Sequence, residues 1–237
     1  MDELVARGYD RVADAYAALE SGEPWPRARW LERLLVQLPE QASVLDLGCG
    51  SGEPVLRTLV ARGHSAIGVD VSSEQLRRAA ANVPAAALVR ANVLELKLPA
   101  GSVDAVVSLY LADHLPRERL PELFAAVRRW LRPGGWLLAT FETVDDPGTV
   151  GTWLGEPMFF SSYEPETTKR LVTDAGFELV ETALERQREG SREVEYLWLL
   201  ARRRAVVAET ETATEPPGDP LWSPPRGQRS DARRTHG

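Results

Sequence analysis

The chain has 237 residues, 43% of them hydrophobic, and a formal net charge of -7 at pH 7. This length and apolar content suit one domain with a sizeable core, and the acidic balance argues against a nucleic-acid backbone as the main partner. Cys49 is the single cysteine, so an internal disulfide and a cysteine metal cluster are excluded and no metal is predicted. No apolar run reaches membrane-spanning length and the start MDELVARGYD lacks signal-peptide features, so we expect a cytoplasmic protein without a membrane partner.

Two helices are predicted before the first strand. Apolar residues recur at helical spacing through residues 2–20, and a second helix is predicted from about Arg27 to Leu38. Tyr9 and Tyr16 lie seven residues apart in YDRVADAY, so they share one helical face, which either core packing or a functional contact would explain. We expect residues 1–40 to form a helical cap over a sheet.

A strand, a glycine turn and a helix follow in VLDLGCGSGEP. Glycines at alternate positions allow positive φ angles and a close approach of a ligand to the backbone. A dinucleotide fold would need G-x-G-x-x-G, but the place of its last glycine holds Glu53. A carboxylate there would repel a pyrophosphate and would tolerate a sulfonium cofactor without phosphates. Asp46, at the end of the strand, could face the ammonium group of such a cofactor.

The remaining predicted elements alternate between strands and helices. HSAIGVDVS places Asp70 at the carboxyl end of a second strand, where a doubly wound sheet binds ribose hydroxyls. The strands AALVRAN, AVVSLYL and WLLATFE, with helices between them, favour a largely parallel sheet. Residues 145–163 are predicted to be an irregular substrate loop, followed by a helix, the strands FELVETALER and EVEYLWLLARR, and a disordered tail over residues 205–237.

Five segments, in this order, resemble the motifs of the class I S-adenosylmethionine-dependent methyltransferases. They are VLDLGCGSG, GVDVS, RANVLELKLP, SVDAVVSLYLADHLP and LRPGGWLLATF, and the resemblance covers roughly residues 9–202. It implies an α/β fold over residues 41–204 with a Rossmann-like, doubly wound, seven-stranded sheet. That sheet would be mostly parallel, with the last strand antiparallel and inserted beside the fifth. It also implies the cofactor S-adenosyl-L-methionine and the product S-adenosyl-L-homocysteine.

The resemblance also assigns cofactor contacts. The amino-acid tail and the sugar would meet Asp46, Gly48, Gly50 and Gly52, and the ribose would meet Asp70 with Val71. At the adenine the family often has an acid, whereas this chain has Asn92 and Val93; an amide oxygen can still accept the hydrogen bond, although Asn92 could also be a plain turn residue. In relatives with a similar YDxxAxxY opening, the helix closes over the cofactor. The resemblance therefore implies that Tyr9 and Tyr16 contact the cofactor.

The sequence indicates catalytic and acceptor residues less directly than cofactor residues. Methyl transfer depends mainly on positioning the reactants and needs a base only when the nucleophile is protonated. His114 in LADHLP is the candidate base, or a residue that orders its loop, and Asp113 either orients the imidazole or is solvated. The acceptor would be a small, partly lipophilic molecule, methylated on oxygen or nitrogen. Its candidate contacts, each of which could instead pack in the loop, are Tyr110, Glu142, Met158, Phe159 and Tyr163, with Trp153 and Phe160 beside them.

Two alternatives stay open. A nicotinamide-dependent oxidoreductase is opposed by the glycine spacing and by Glu53. A protein that binds S-adenosylmethionine without turnover would keep the same cofactor residues, because fold does not imply function. The segment SLYLAD lacks the proline pair typical of enzymes that methylate nucleic-acid bases. We therefore expect a small-molecule partner, and a monomer or homodimer.

Overall fold

The computed structural model describes residues 2–22, 26–190 and 192–205. Its helices are α1 (Asp2–Gly22), α2 (Arg27–Leu35), α3 (Val55–Ala61), α4 (Ser73–Asn82), α5 (Leu120–Trp130) and α6 (Pro165–Asp174). Its strands are β1 (Ser43–Leu47), β2 (Ser65–Asp70), β3 (Ala87–Arg90), β4 (Val103–Ser108), β5 (Leu131–Glu142), β6 (Asp146–Trp153), β7 (Glu156–Ser162), β8 (Phe177–Glu189) and β9 (Arg192–Arg203). The predicted tail, from residue 206 onward, lies outside the described residues.

Seven strands form one sheet in the order β3-β2-β1-β4-β5-β9-β8. β1 pairs in parallel with β2 and β4, and β5 pairs in parallel with β4. β9 is antiparallel to both of its neighbours, β5 and β8. The predicted α/β class and doubly wound sheet are confirmed, including the last strand beside the fifth.

Both faces of the sheet are covered, which explains why the central strands are apolar along their length. On one face α5 and α6 bury a cluster that includes Phe124, Trp130 and Phe177. On the other face α2 and α3 bury a second cluster, in which Trp30 stacks on Trp198 with ring centroids 5.5 Å apart. The ligand-binding edge is therefore carried on a sheet fixed from both sides.

Residues 145–163 are more regular than the predicted irregular loop. They contain β6 and β7, an antiparallel pair that forms a separate two-stranded sheet, the hairpin. Leu154 and Gly155, at its turn, both have positive φ, as a tight two-residue hairpin turn requires. The prediction missed this hairpin because β6 is mostly exposed and shows no apolar alternation.

The remaining boundary differences are small. α2 ends at Leu35, before the predicted Leu38, and α5 follows a 3-10 turn at Arg117–Arg119. Within the described residues no helix combines the length and apolar content needed to cross a membrane.

Candidate functional site

A cleft lies at the carboxyl ends of the parallel strands, beneath α1 and the start of α2. The space within it, including the part open to solvent, is about 940 Å³. The predicted site residues that line it are Tyr9, Tyr16, Asp46, Gly48, Gly50, Asp70, Val71, Asn92, Val93, Tyr110 and His114. The predicted residues outside its lining are Gly52, Glu142, Met158, Phe159 and Tyr163.

The glycine turn forms one wall of the cleft. Gly48, Gly50 and Gly52 all have positive φ, a conformation that side chains with a Cβ rarely adopt. A Cβ on Gly52 would lie 3.2 Å from Cγ2 of Val83. Gly52 therefore serves the packing of the turn, whereas the backbone at the other two glycines faces the cleft.

Asp70 has a structural role as well as a position on the cleft. Its Oδ2 accepts a hydrogen bond from the Gly50 amide and its Oδ1 accepts one from the Ser72 amide, both at 2.9 Å. Burial raises the pKa of this carboxyl, and the backbone hydrogen bonds partly offset that shift. Asp70 thus ties the glycine turn to the start of α4, and its oxygens keep lone pairs for a further donor.

Asp46 and Arg27 bring opposite charges to the cleft wall. Burial raises the pKa of Asp46 well above its ordinary value, an effect that the nearby Arg27 opposes. Arg27 Nη2 donates to the Tyr16 hydroxyl at 2.7 Å, and its guanidinium lies 4.6 Å from the ring centroid of Tyr110. A carboxyl group and a guanidinium on one wall suit a ligand with an ammonium and a carboxylate.

Arg27 was missed by the sequence reasoning. It shares the buried face of α2 with Trp30, Leu31 and Leu34, at the spacing of an amphipathic helix. A cation at a core-facing position is expensive to bury without a partner. That misfit with the apolar face was the signal that could have identified it.

His114 is held from two sides in a defined tautomer. Its Nδ1 lies 2.9 Å from the Phe159 carbonyl oxygen, and its Nε2 lies 2.7 Å from the Tyr9 hydroxyl. Because a carbonyl can only accept, Nδ1 carries the hydrogen and Nε2 accepts from Tyr9. Burial lowers the pKa of His114 to about 4, although the Phe159 carbonyl acts in the opposite direction. The imidazole is therefore neutral at pH 7, and the lone pair of its Nε2 is directed at the Tyr9 hydroxyl.

Asp113 does not orient this imidazole through Nδ1, since Phe159 holds that atom. The carboxyl is buried, and its Oδ1 accepts the Glu142 backbone amide at 2.8 Å. Burial and the neighbouring acid Glu189 raise the pKa of Glu142 to about 7. Asp113 and Glu142 lie outside the cleft lining, and Glu142 is the last residue of β5.

The predicted acceptor contacts separate into different surroundings. Met158 and Phe159 pack against Val5 of α1, and Tyr163 lies under the guanidinium of Arg117 at 4.4 Å. Tyr110 does line the cleft, with φ of 56°, an uncommon conformation for a bulky residue that is often found at functional sites. The acceptor role of this set stays a prediction.

Comparison with known proteins identifies the class. Residues 44–135 match the family model described as methyltransferase domain. The match over these residues bears out the predicted recognition of a class I S-adenosylmethionine-dependent methyltransferase domain, and the methyltransferases described next agree with the predicted enzyme class and cofactor.

Two relatives illustrate the similarity. The 27-O-demethylrifamycin SV methyltransferase of Amycolatopsis mediterranei is 31% identical over 166 residues, which cover 60% of this chain and 60% of that protein. A Burkholderia thailandensis 1,6-didemethyltoxoflavin-N1-methyltransferase, solved with 1,6-didemethyltoxoflavin and S-adenosylhomocysteine, has a TM-score of 0.66 at 19% identity, covering 84% of this chain and 87% of that one. The chain spans less than two thirds of the length of the first curated relatives that it matches.

The fold is also shared with a protein named for another reaction. The (4+2)-cyclase SpnF has a TM-score of 0.64 at 17% identity, covering 84% of this chain and 96% of that one. This likeness concerns the fold alone.

Proposed function

We propose that the protein transfers the methyl group of S-adenosylmethionine to an oxygen or nitrogen of a small, partly lipophilic metabolite. The observation that carries the proposal is the neutral His114, whose Nε2 faces the same cleft as the glycine turn and Asp70. A cofactor site and a candidate base thus share one cavity. A cytoplasmic location, a small-molecule partner in place of nucleic acid, and a monomeric or homodimeric state belong to the same proposal.

The cofactor residues follow from the charges on the cleft wall. Asp70, at the end of β2, would accept from the ribose hydroxyls, while the turn at Gly48 and Gly50 leaves room beside the backbone. Asp46 would meet the ammonium of the amino-acid tail, and Arg27 its carboxylate. When bound, the sulfonium supplies an electrophilic methyl group and a neutral thioether as leaving group.

His114 would act as the base. Its Nε2 would take the proton of the acceptor hydroxyl or amine while the acceptor atom forms its bond to the methyl carbon and the carbon–sulfur bond breaks. Tyr9 holds this nitrogen in the structure, so the acceptor group would replace the tyrosine hydroxyl there. Asp113 would contribute by holding the β5 end at Glu142.

A lipophilic acceptor is supported by the aromatic cover of the cleft. Trp153 of the hairpin contacts the rings of Tyr9 and Tyr16, with centroids 5.7 and 5.3 Å away, and Phe160 lies 5.2 Å from His114. By their names, two similar proteins methylate 27-O-demethylrifamycin SV and 1,6-didemethyltoxoflavin. Such an acceptor would be bound largely by apolar contact with a few polar anchors.

The first test is isothermal titration of the protein with S-adenosylmethionine, S-adenosylhomocysteine and NAD. We expect micromolar binding of the first two and none of NAD. Asp70→Asn should weaken binding of both adenosyl ligands at least ~10-fold, since the charge facing the ribose is lost. NAD binding without the adenosyl ligands would instead favour the oxidoreductase.

A second candidate function is binding of S-adenosylmethionine without methyl transfer, which is favoured by the Tyr9 hydroxyl that occupies Nε2 of the candidate base. Turnover on a panel of small phenols, amines and carboxylic acids separates the two. Product formation that falls in His114→Gln at unchanged S-adenosylhomocysteine affinity would support transfer. Tight cofactor binding with no methylated product across the panel would favour the second function.

A further inference from the structure

Asn92, which follows β3, lines the cleft together with Asp70 and Val71. Oδ1 of Asn92 accepts the Leu94 backbone amide at 3.0 Å, and its Nδ2 donates to Oδ2 of Asp2 at 2.6 Å. A backbone amide can only donate and a carboxylate can only accept, so both bonds require the same orientation of the Asn92 amide.

This orientation changes the role expected for Asn92. The sequence predicts that its oxygen accepts from the amine of the adenine. That oxygen accepts the Leu94 amide, and the Nδ2 of Asn92 is the atom paired with Asp2. Asp2 also lines the cleft, and a carboxylate is the stronger acceptor because its hydrogen bonds are charge-assisted. The acid that the family often carries after the third strand is thus matched here by an acid from the first turn of α1.

The Asp2 carboxylate and the Asn92 amide nitrogen form an acceptor beside a donor. The reading edge of adenine presents the complement, an amine that donates beside a ring nitrogen that accepts. Resting on the proposed function for its cofactor, the geometry points to Asp2 as the residue that selects adenine. Asp2 accepts from the 6-amino group, and Asn92 Nδ2 donates its second hydrogen to N1.

The assignment has a consequence for specificity. A hypoxanthine base carries a carbonyl oxygen in place of the amine and a hydrogen on N1, so it would set an acceptor against Asp2 and a donor against Asn92. Unpaired polar groups at such a site discriminate more strongly than lost apolar contact does. Because Asp2 belongs to α1, selection for adenine also depends on this helix lying over the cleft.

The test compares S-adenosylhomocysteine with S-inosylhomocysteine, which differs only in the base, by calorimetry on the full chain. We expect the wild type to prefer the adenine ligand at least ~10-fold, about 1.4 kcal/mol. Asp2→Ala should reduce this preference about 10-fold or abolish it. Glu3→Ala is the matched control: Glu3 is exposed beside Asp2 and pairs with Arg7 at 3.8 Å, so the preference should be unchanged.

The role of Asp2 and the binding of an adenosyl cofactor can fail separately in this test. If Asp2→Ala weakens both ligands by the same factor, or leaves the wild-type preference intact, Asp2 merely holds Asn92 and the inference is wrong. A wild-type protein that binds neither ligand overturns the proposed function itself. Far-ultraviolet circular dichroism of each variant checks that the helices remain formed.

Discussion

Replacing Asp10 with alanine tests whether α1 is held over the cleft by the start of α4. Oδ1 of Asp10 accepts from the Ser72 hydroxyl at 2.6 Å and from the Glu74 amide at 3.0 Å, and Oδ2 lies 3.3 Å from the Ser73 hydroxyl. Ser72 in turn caps α4, because its oxygen accepts the Gln75 amide at 3.1 Å. One carboxylate of α1 thus bonds to the turn that follows Asp70.

The magnitude follows from these contacts. Loss of an acidic partner at a helix N-terminus costs ~1 kcal/mol, and a hydrogen bond to a charged group contributes roughly 1.5–3 kcal/mol. Asp10 is half-buried, so we take a total of about 2 kcal/mol at the lower end. For a chain of this size each kcal/mol lowers the melting temperature by about 2–4 °C, which gives a fall of about 4–8 °C.

Asp14→Ala provides the matched control on the same helix. Asp14 is 95% exposed and bonds to Arg78 of α4 at 2.5 Å, so its loss should cost less than ~1 kcal/mol. Thermal unfolding followed by circular dichroism measures both variants, and calorimetry with S-adenosylhomocysteine should show weaker binding for Asp10→Ala only. Equal melting temperatures and equal affinities for the two variants would refute this account of how α1 is held.

The pH dependence offers a second check on Asp10. Burial alone raises its pKa. The Glu74 amide, the two serine hydroxyls and Arg90 together lower the pKa by more, so the net shift is downward. A carboxyl with a lowered pKa stabilises the fold above its unfolded pKa, and this contribution is lost as pH falls through the folded value. The stability difference between wild type and Asp10→Ala should therefore shrink in acid.

Three further outcomes are expected. Gly68→Ala would place a Cβ 2.8 Å from Cys49 Sγ in the glycine turn and should cost about 1–3 kcal/mol in urea unfolding. Gly151→Ala should cost less, because its Cβ would lie 3.7 Å from the Phe160 ring. The buried, neutral His114 has its pKa lowered to about 4, so wild-type stability should fall as pH drops from about 6.5 towards 4, and a His114→Gln variant that kept the same slope would contradict this. Burial raises the pKa of Glu142 to about 7, so stability should fall as pH rises from about 4.5 to 7, and Glu142→Gln should lessen that fall in denaturant titrations.

The parts of the fold that could be predicted are those fixed by local pattern and by topology. The run SVLDL and the glycines after it define a buried strand and a turn from their own chemistry. The rule that parallel strands place their carboxyl ends at one edge then brings Asp46 and Asp70 into one cleft. The positions of these residues can therefore be predicted from their neighbours in sequence and from the strand order.

The parts that were missed depend on contacts between distant segments. Arg27 and Asp2 reach the cleft only because α1 and α2 fold back over the sheet, and no local pattern specifies that placement. Met158, whose acceptor role stays a prediction, packs against α1, with its Cε 2.7 Å from where a Cβ on Gly8 would lie. An apolar residue in a covering segment can face the ligand or the segment beneath it, and periodicity does not distinguish these cases.

The residues inside and outside the family match contribute differently to the cleft. The residues matched by the family model, 44–135, supply the glycine turn, Asp70 and His114, whereas α1 and the hairpin lie outside that match. Yet His114 is held by Tyr9 of α1 and by the Phe159 carbonyl of the hairpin. The orientation of the proposed base is thus set by segments outside the family match. We therefore expect acceptor choice to depend on these covering segments even where the cofactor residues are unchanged.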